Sequence, residues 1–177
     1  MGAADRLLGR VAALAAAGPL LSEAQAGSGQ FLMVSGEAGI GKTAVLEALL
    51  GEVEADALVL RGICWEGDGA PPYWPWSQIL RASGLPIAEL GEAGWLLDAT
   101  AGRATSSSVT AADAQFRLFQ SVSRSLQALA SHRPLLVVVL DDLHWSDDPS
   151  LRLLGFLART LTTVSYTHLT LPTTPYV

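Results

Sequence analysis

Residues 30–43 run Gln30-Phe31-Leu32-Met33-Val34-Ser35-Gly36-Glu37-Ala38-Gly39-Ile40-Gly41-Lys42-Thr43. Gln30–Ser35 is a short apolar run of the kind that forms a buried strand, and the glycines that follow mark a turn. Beyond them Val45, Leu46, Leu49 and Leu50 recur at helical spacing, so a helix is expected from Lys42 to about Val53. Strand, Gly36-x-x-x-x-Gly41-Lys42-Thr43, then helix satisfies the Walker A pattern in full and in its required context. Glycines let the main chain curl so that successive N–H groups form an anion nest, and the helix adds the positive end of its dipole. Lys42 can bridge the outer phosphates of a nucleotide, and the Thr43 hydroxyl can ligate Mg²⁺. The expected cradle is Gly36, Glu37, Ala38, Gly39, Ile40, Gly41, Lys42, Thr43 and Ala44. An accidental glycine-rich turn is the plain alternative, and the full pattern disfavours it.

Working outward, Ala57–Leu60 reads as a second buried strand. A Gly- and Pro-rich stretch, Trp65–Trp76, follows, and a helix carrying Ile79 and Leu80 is expected to start near Pro75. Residues 99–110 read as a mobile polar linker. From Ala111 to Ser131, Phe116, Phe119, Val122, Leu126 and Leu129 mark an amphipathic helix that Pro134 stops. Leu135–Leu140 is a continuous apolar run that ends in Asp141-Asp142, as expected of a central parallel strand. Asp148 then reads as an N-cap with Pro149 at the first helical position, and Leu151, Leu154, Leu157 and Leu161 as the buried stripe of that helix. Strands alternating with helices make the fold class α/β, a three-layer αβα sandwich around a parallel sheet.

Asp141-Asp142 at a strand tip has the shape of a Walker B segment. Phosphoryl transfer needs a carboxylate to hold hydrated Mg²⁺, which fits Asp141, and a group to orient attacking water, which fits Asp142. Polar punctuation at a strand end is the alternative, and co-occurrence with the glycine loop makes it the poorer one. The assignments are therefore Thr43 and Asp141 to the metal, and Lys42 and Asp142 to catalysis.

Composition sets the outer bounds. The 177 residues are 50% hydrophobic and 16% charged, against roughly 25% charged in a typical soluble domain. With 11 Lys+Arg against 17 Asp+Glu the net charge is -6, so no basic stripe for nucleic acid is expected. Mean hydropathy is +0.34, yet no run approaches the roughly 20 apolar residues that span a bilayer, so no membrane association is expected. Cys64 is the single cysteine, which excludes an intrachain disulfide and fits a reducing cytoplasm. The first residues imitate an export signal, but Gly18-Pro19 breaks the apolar run, and residues 3–17 are expected to form an amphipathic helix.

Gly36–Thr43 together with Asp141-Asp142-Leu143-His144-Trp145-Ser146-Asp147 resembles the signal-transduction ATPases with numerous domains (STAND), relatives of the AAA+ and origin-recognition ATPases. The Cys64–Trp76 segment is similar to its counterpart in large bacterial LuxR-type transcriptional regulators. The resemblance covers residues 5–163. It implies a P-loop ATPase domain that binds ATP with Mg²⁺ and switches a longer polypeptide, whose output domain is a DNA-binding, cyclase or kinase module. It also implies ATP and ADP as ligands and self-association or intramolecular regulatory domains as partners. Many AAA+ enzymes carry Glu where this chain has Asp142, and the shorter acid suits slow hydrolysis. The family's Gly-Arg-Glu is Gly9-Arg10-Val11 here, so adenine contacts carry over weakly. Its sensor strand, lid and trans-acting arginine belong beyond Thr163.

Other residues take plainer readings. Trp65, Tyr73, Trp74 and Trp76 read as packing aromatics ahead of a ligand platform, while Trp145 and His144 divide evenly between packing and nucleotide contact. Cys64 reads as a small buried hydrophobe, and His132 as a solvated helix end. Val164–Val177 has no charged residue, four threonines and two prolines, and Val164–Leu169 resembles one reading frame of a transposase adapter used in sequencing libraries. Residues 164–177 are therefore expected to be a non-native, disordered tail on an ATPase domain cut short, residues 1–163. A small-molecule or nucleotide kinase is the competing reading, but only Arg152 and Arg159 follow the acids, which is few for a phosphoryl clamp.

Overall fold

The computed structural model describes residues 3–53, 57–67, 69–98, 110–160 and 165–170, with the backbone alone for 3–12 and 165–170. In chain order the elements are α1 (Ala3–Gln25), β1 (Gln30–Ser35), α2 (Lys42–Leu50), β2 (Leu58–Ile63), α3 (Trp74–Ala82), α4 (Ala111–Ser131), β3 (Leu136–Asp141), α5 (Asp148–Thr160) and β4 (Ser165–Thr170). Short 3₁₀ turns occupy Ile87–Glu89, Gly91–Leu96 and Leu143–Trp145. The α/β class with parallel strands is as expected. The described strands pair as two two-stranded parallel sheets, β1 with β4 and β2 with β3. The chain divides accordingly into one unit of Met1–Ala55 with Leu161–Val177 and another of Asp56–Thr160. Among the described residues no helix is long and apolar enough to cross a membrane.

In the first unit β1 runs parallel to β4 in a register from Gln30↔Ser165 to Ser35↔Thr170. This corrects the expectation of irregular structure throughout 164–177. Tyr166, Thr167 and Thr170 are residue types favoured on a pleated surface, and Pro172 lies past the strand's end. Residues 171–177 are outside the described set. A second correction concerns α1, which runs through Gly18-Pro19 to Gln25 with Pro19 inside it. Proline removes the bond to the carbonyl four residues earlier, here Ala15, and Ala15 is exposed, so water can take that place. Ala13 and Ala17, one helical turn apart, are buried with Val45 and Leu49 of α2, and Leu32, Val34 and Ile40 pack around them. Leu46 and Leu50 are only half-buried.

The second unit centres on β2 and β3, paired from Leu58↔Leu136 to Ile63↔Asp141. β2 ends three residues beyond the apolar run Ala57–Leu60, because its last residues are fixed by α3 instead of by hydrophobicity. A Cβ at Gly62 would lie 2.3 Å from the Pro75 carbonyl oxygen, so only glycine permits the start of α3 to pack there. Gln78 then clasps the backbone of Ile63, accepting from its N–H at 3.3 Å and donating to its carbonyl at 2.9 Å. Behind the strands Leu60, Trp76, Ile79, Leu80, Val122 and Leu153 form a fully buried core.

Two helical stripes differ from expectation. On α4 Leu118 is buried and Phe116 is 52% exposed, its ring lying edge-on to Phe156 at 5.8 Å. On α5 the buried positions are Ser150, Leu153 and Leu157, while Leu151 is exposed, Leu154 half-buried and Leu161 outside the described residues. Leucines occupy two adjacent faces of α5, so spacing alone did not choose between them. The linker 99–109 is also outside the described residues. The Thr110 hydroxyl caps α4 by accepting from Asp113 N–H at 3.1 Å.

Candidate functional site

The glycine loop joins β1 to α2 inside the first unit. Gly39 (φ 76) and Gly41 (φ 104) hold left-handed backbone that L side chains rarely adopt, and a Cβ on either would meet nothing within 4 Å. Glycine is thus demanded here by the curl of the chain and not by crowding. Gly41 is the N-cap of α2, and no side chain caps that helix. The first bond of the helix is Val45 N–H to the Gly41 carbonyl at 3.0 Å, so the N–H groups of Gly41, Lys42, Thr43 and Ala44 lie ahead of the intrahelical ladder at its positive end. Lys42 folds back over the loop, and its Nζ donates to the carbonyls of Gly36 and Glu37, each at 3.0 Å. An ammonium has three donors, which leaves capacity for a phosphate oxygen. Thr43 and Ala44 are exposed, as are Glu37, Ala38 and Gly39, whereas Ile40 turns partly into the core.

The acids sit at the tip of β3 in the second unit. Cys64 N–H donates to the Asp141 carbonyl at 3.1 Å, which extends the β2–β3 ladder past its last register pair. Asp141 Oδ1 accepts from Asp142 N–H at 2.9 Å. Asp142 is exposed and takes left-handed backbone (φ 56, ψ 41) as it leads into the turn Leu143–Trp145. Only Asp142 and Tyr73 combine a side chain with positive φ among the described residues. Burial above all, reinforced by the negative charges of Asp147, Asp142 and Asp141, pushes the Cys64 thiol above its ordinary value, and a hydrogen bond with Ser146 opposes the shift. Cys64 is therefore a neutral thiol at the end of β2, consistent with a small buried hydrophobe.

Asp147 was not singled out in the sequence, and it is the most connected side chain near the acids. Its Oδ1 accepts from Ser150 N–H at 3.0 Å and from Tyr73 N–H at 3.3 Å, and its Oδ2 accepts from Ser150 Oγ at 2.6 Å. The N-cap of α5 is thus Asp147, one residue before the expected Asp148. An acid followed three residues later by serine was the available signal. Trp76 is buried and donates from Nε1 to the Ser150 carbonyl at 3.1 Å, and Tyr73 is buried edge-on against Trp95 and Phe119. Packing is the right reading for Tyr73 and Trp76. It fails for Trp65, 57% exposed, and Trp145, for which the sequence left packing and nucleotide contact open, is 44% exposed beside His144.

The loop residues and the two acids belong to different units, and each group is locally ordered as described. A family model for the AAA ATPase domain matches residues 6–171. The chain belongs to the AAA ATPase domain family. Curated proteins and solved structures give no match. Membership gives this AAA ATPase domain its P-loop NTPase fold class and makes a nucleotide-binding module its coarse function. The match runs through β4, so it spans both units. AAA ATPase domains generally bind ATP with Mg²⁺. Among the described residues of this one, no three His, Cys, Asp or Glu side chains gather as a metal cage.

Proposed function

We propose that the chain is an ATP-binding, slowly hydrolysing switch module of a multidomain bacterial signalling protein of the STAND type, such as a LuxR-type transcriptional regulator, acting in the cytoplasm. The loop Gly36–Ala44 binds the phosphates through its N–H groups and Lys42. Thr43 and Asp141 hold Mg²⁺, which neutralises charge on the phosphates, and Asp142 orients the attacking water. ATP and ADP would then favour different conformations of the longer polypeptide, through self-association or through neighbouring regulatory domains. Residues from Val164 onward are, in the same reading, foreign to the gene, and resequencing the source locus tests this: native codons continuing through the tail would sink it.

The observation that carries the proposal is the Lys42 ammonium drawn over a left-handed glycine loop at the uncapped start of α2. Its test is titration of the full chain with Mg-ATP, followed by tryptophan fluorescence. Saturable binding is expected for the wild type. Lys42→Ala should weaken it by ~100-fold, or about 3 kcal/mol, the scale of charge-assisted hydrogen bonds to phosphate. Identical titrations for wild type and variant would refute the phosphate-site assignment.

A further inference from the structure

The segment from Asp141 to Asp147 is held at both ends. At one end Cys64 N–H holds the Asp141 carbonyl. At the other, the Asp147 carboxylate gathers Tyr73 N–H, Ser150 N–H and Ser150 Oγ. Between these anchors the chain turns tightly, with Trp145 N–H on the Asp142 carbonyl at 2.9 Å and Ser146 N–H on the Leu143 carbonyl at 3.0 Å. The turn needs Asp142 at φ 56. A non-glycine residue stays in that region only when its surroundings over-determine it. Released at the Asp147 end, Asp142 can relax to negative φ, a rotation of roughly 120° that carries its carboxylate to another side of the chain.

We infer that Asp147 is a positioning residue for Asp142, tying the β3 tip to the Tyr73–Trp76 segment so that the Asp142 carboxylate keeps one direction. The anchor on the other side is itself firm. Ser150 is buried, its carbonyl is taken by Trp76 Nε1, and the Tyr73 hydroxyl accepts from Gln115 Nε2 at 3.3 Å. This gives the aromatic, proline-rich segment a purpose beyond filling space: it is the fixed wall against which the acid-bearing turn is set. The inference rests on the reading of Asp142 as the water-orienting acid.

Two measurements on the full chain test it. In steady-state ATP hydrolysis, Asp147→Ala should lower kcat by about tenfold or more, with KM for Mg-ATP within about twofold of wild type. Asp147→Asn keeps an oxygen for both Tyr73 N–H and Ser150 N–H and should recover most of the rate. Thr110→Ala, which removes a helix cap elsewhere in the unit, should leave kcat unchanged and so controls for lost stability. In an Asp142→Asn background, Asp147→Ala should slow the reaction no further. An additive loss there, or a raised KM with intact kcat, overturns the inference. The second measurement needs no activity: hydrogen exchange at the Trp145 and Ser146 amides should quicken about tenfold in Asp147→Ala and not in Asp147→Asn. Unchanged protection overturns the inference outright. Quickened exchange in a chain whose wild type hydrolyses no ATP supports the anchoring and overturns the hydrolytic reading instead.

Discussion

The glycine loop and the acid-bearing turn are both sharp reversals at the end of a parallel strand, and they are shaped by opposite means. The loop takes its form from its own main chain: glycines at positive φ, an uncapped helix start, and a lysine bonded to carbonyls five and six residues back. The turn is held from outside itself: the Asp147 carboxylate takes the Tyr73 N–H from a distant segment and the Ser150 hydroxyl from α5, while Gln78 on Ile63 and the Pro75 carbonyl against Gly62 fix the neighbouring end of β2. Phosphate binding can thus be specified locally, whereas aiming an acid at a water requires a folded wall behind it. Substitutions in the two regions should fail differently.

The largest effect belongs to the wall. Trp76 is buried at 1% exposure with its indole N–H satisfied, so Trp76→Ala should cost about 3–5 kcal/mol in urea unfolding followed by circular dichroism. A loss under about 1 kcal/mol would mean that the turn does not depend on packing. Next comes the loop. Gly41→Ala adds a methyl to open space, so any penalty must come from the backbone, at about 1–3 kcal/mol. Mg-ATP affinity should fall about tenfold alongside it, and a variant with wild-type affinity would break the claim that main-chain shape alone makes the cradle.

A smaller contrast concerns Asp142. Asp142→Ala should destabilise by about 1 kcal/mol, while Asp142→Gly and Asp142→Asn should stay within about 0.5 kcal/mol of wild type, since those residues tolerate left-handed backbone. All three should slow hydrolysis by about 100-fold or more, to a residual rate that can still be measured. Equal stability for Ala and Gly would show that the positive φ relaxes freely. The smallest effect is a matter of pH. Folding favours the neutral Cys64 thiol, whose ordinary pKa is 9.0 and whose folded value is higher. Its contribution is therefore intact below pH 9 and is lost as pH rises through the folded value. Cys64→Ala should flatten that alkaline decline in thermal melts, and an unchanged decline would assign it to other groups.

Much of this was legible in the sequence for the same reason that the two reversals differ. β1, the start of α2 and the full extent of α4 follow from local pattern, and the phosphate-binding motif is contiguous. What escaped was non-local. β2 continues through Arg61, Gly62 and Ile63 because α3 packs and clasps it there, and no periodicity announces that. Asp148 looked like the cap because proline follows it, but the carboxylate with partners is Asp147. α1 passes Pro19 where Ala15, whose carbonyl loses its helical partner, is exposed. The packing assignment failed for Trp65, and Trp145 stayed undecided in the sequence, because an aromatic beside glycines or acids carries no mark of which way it will face.

The bonds from Lys42 to Gly36 and Glu37 have a kinetic corollary. A long, flexible side chain is already tethered where an incoming anion must arrive, so capture requires a short swing from one oxygen to another and not a search through rotamers. Association should then be limited by diffusion and the protein's negative field, and selectivity among phosphate esters should emerge in how slowly each one leaves.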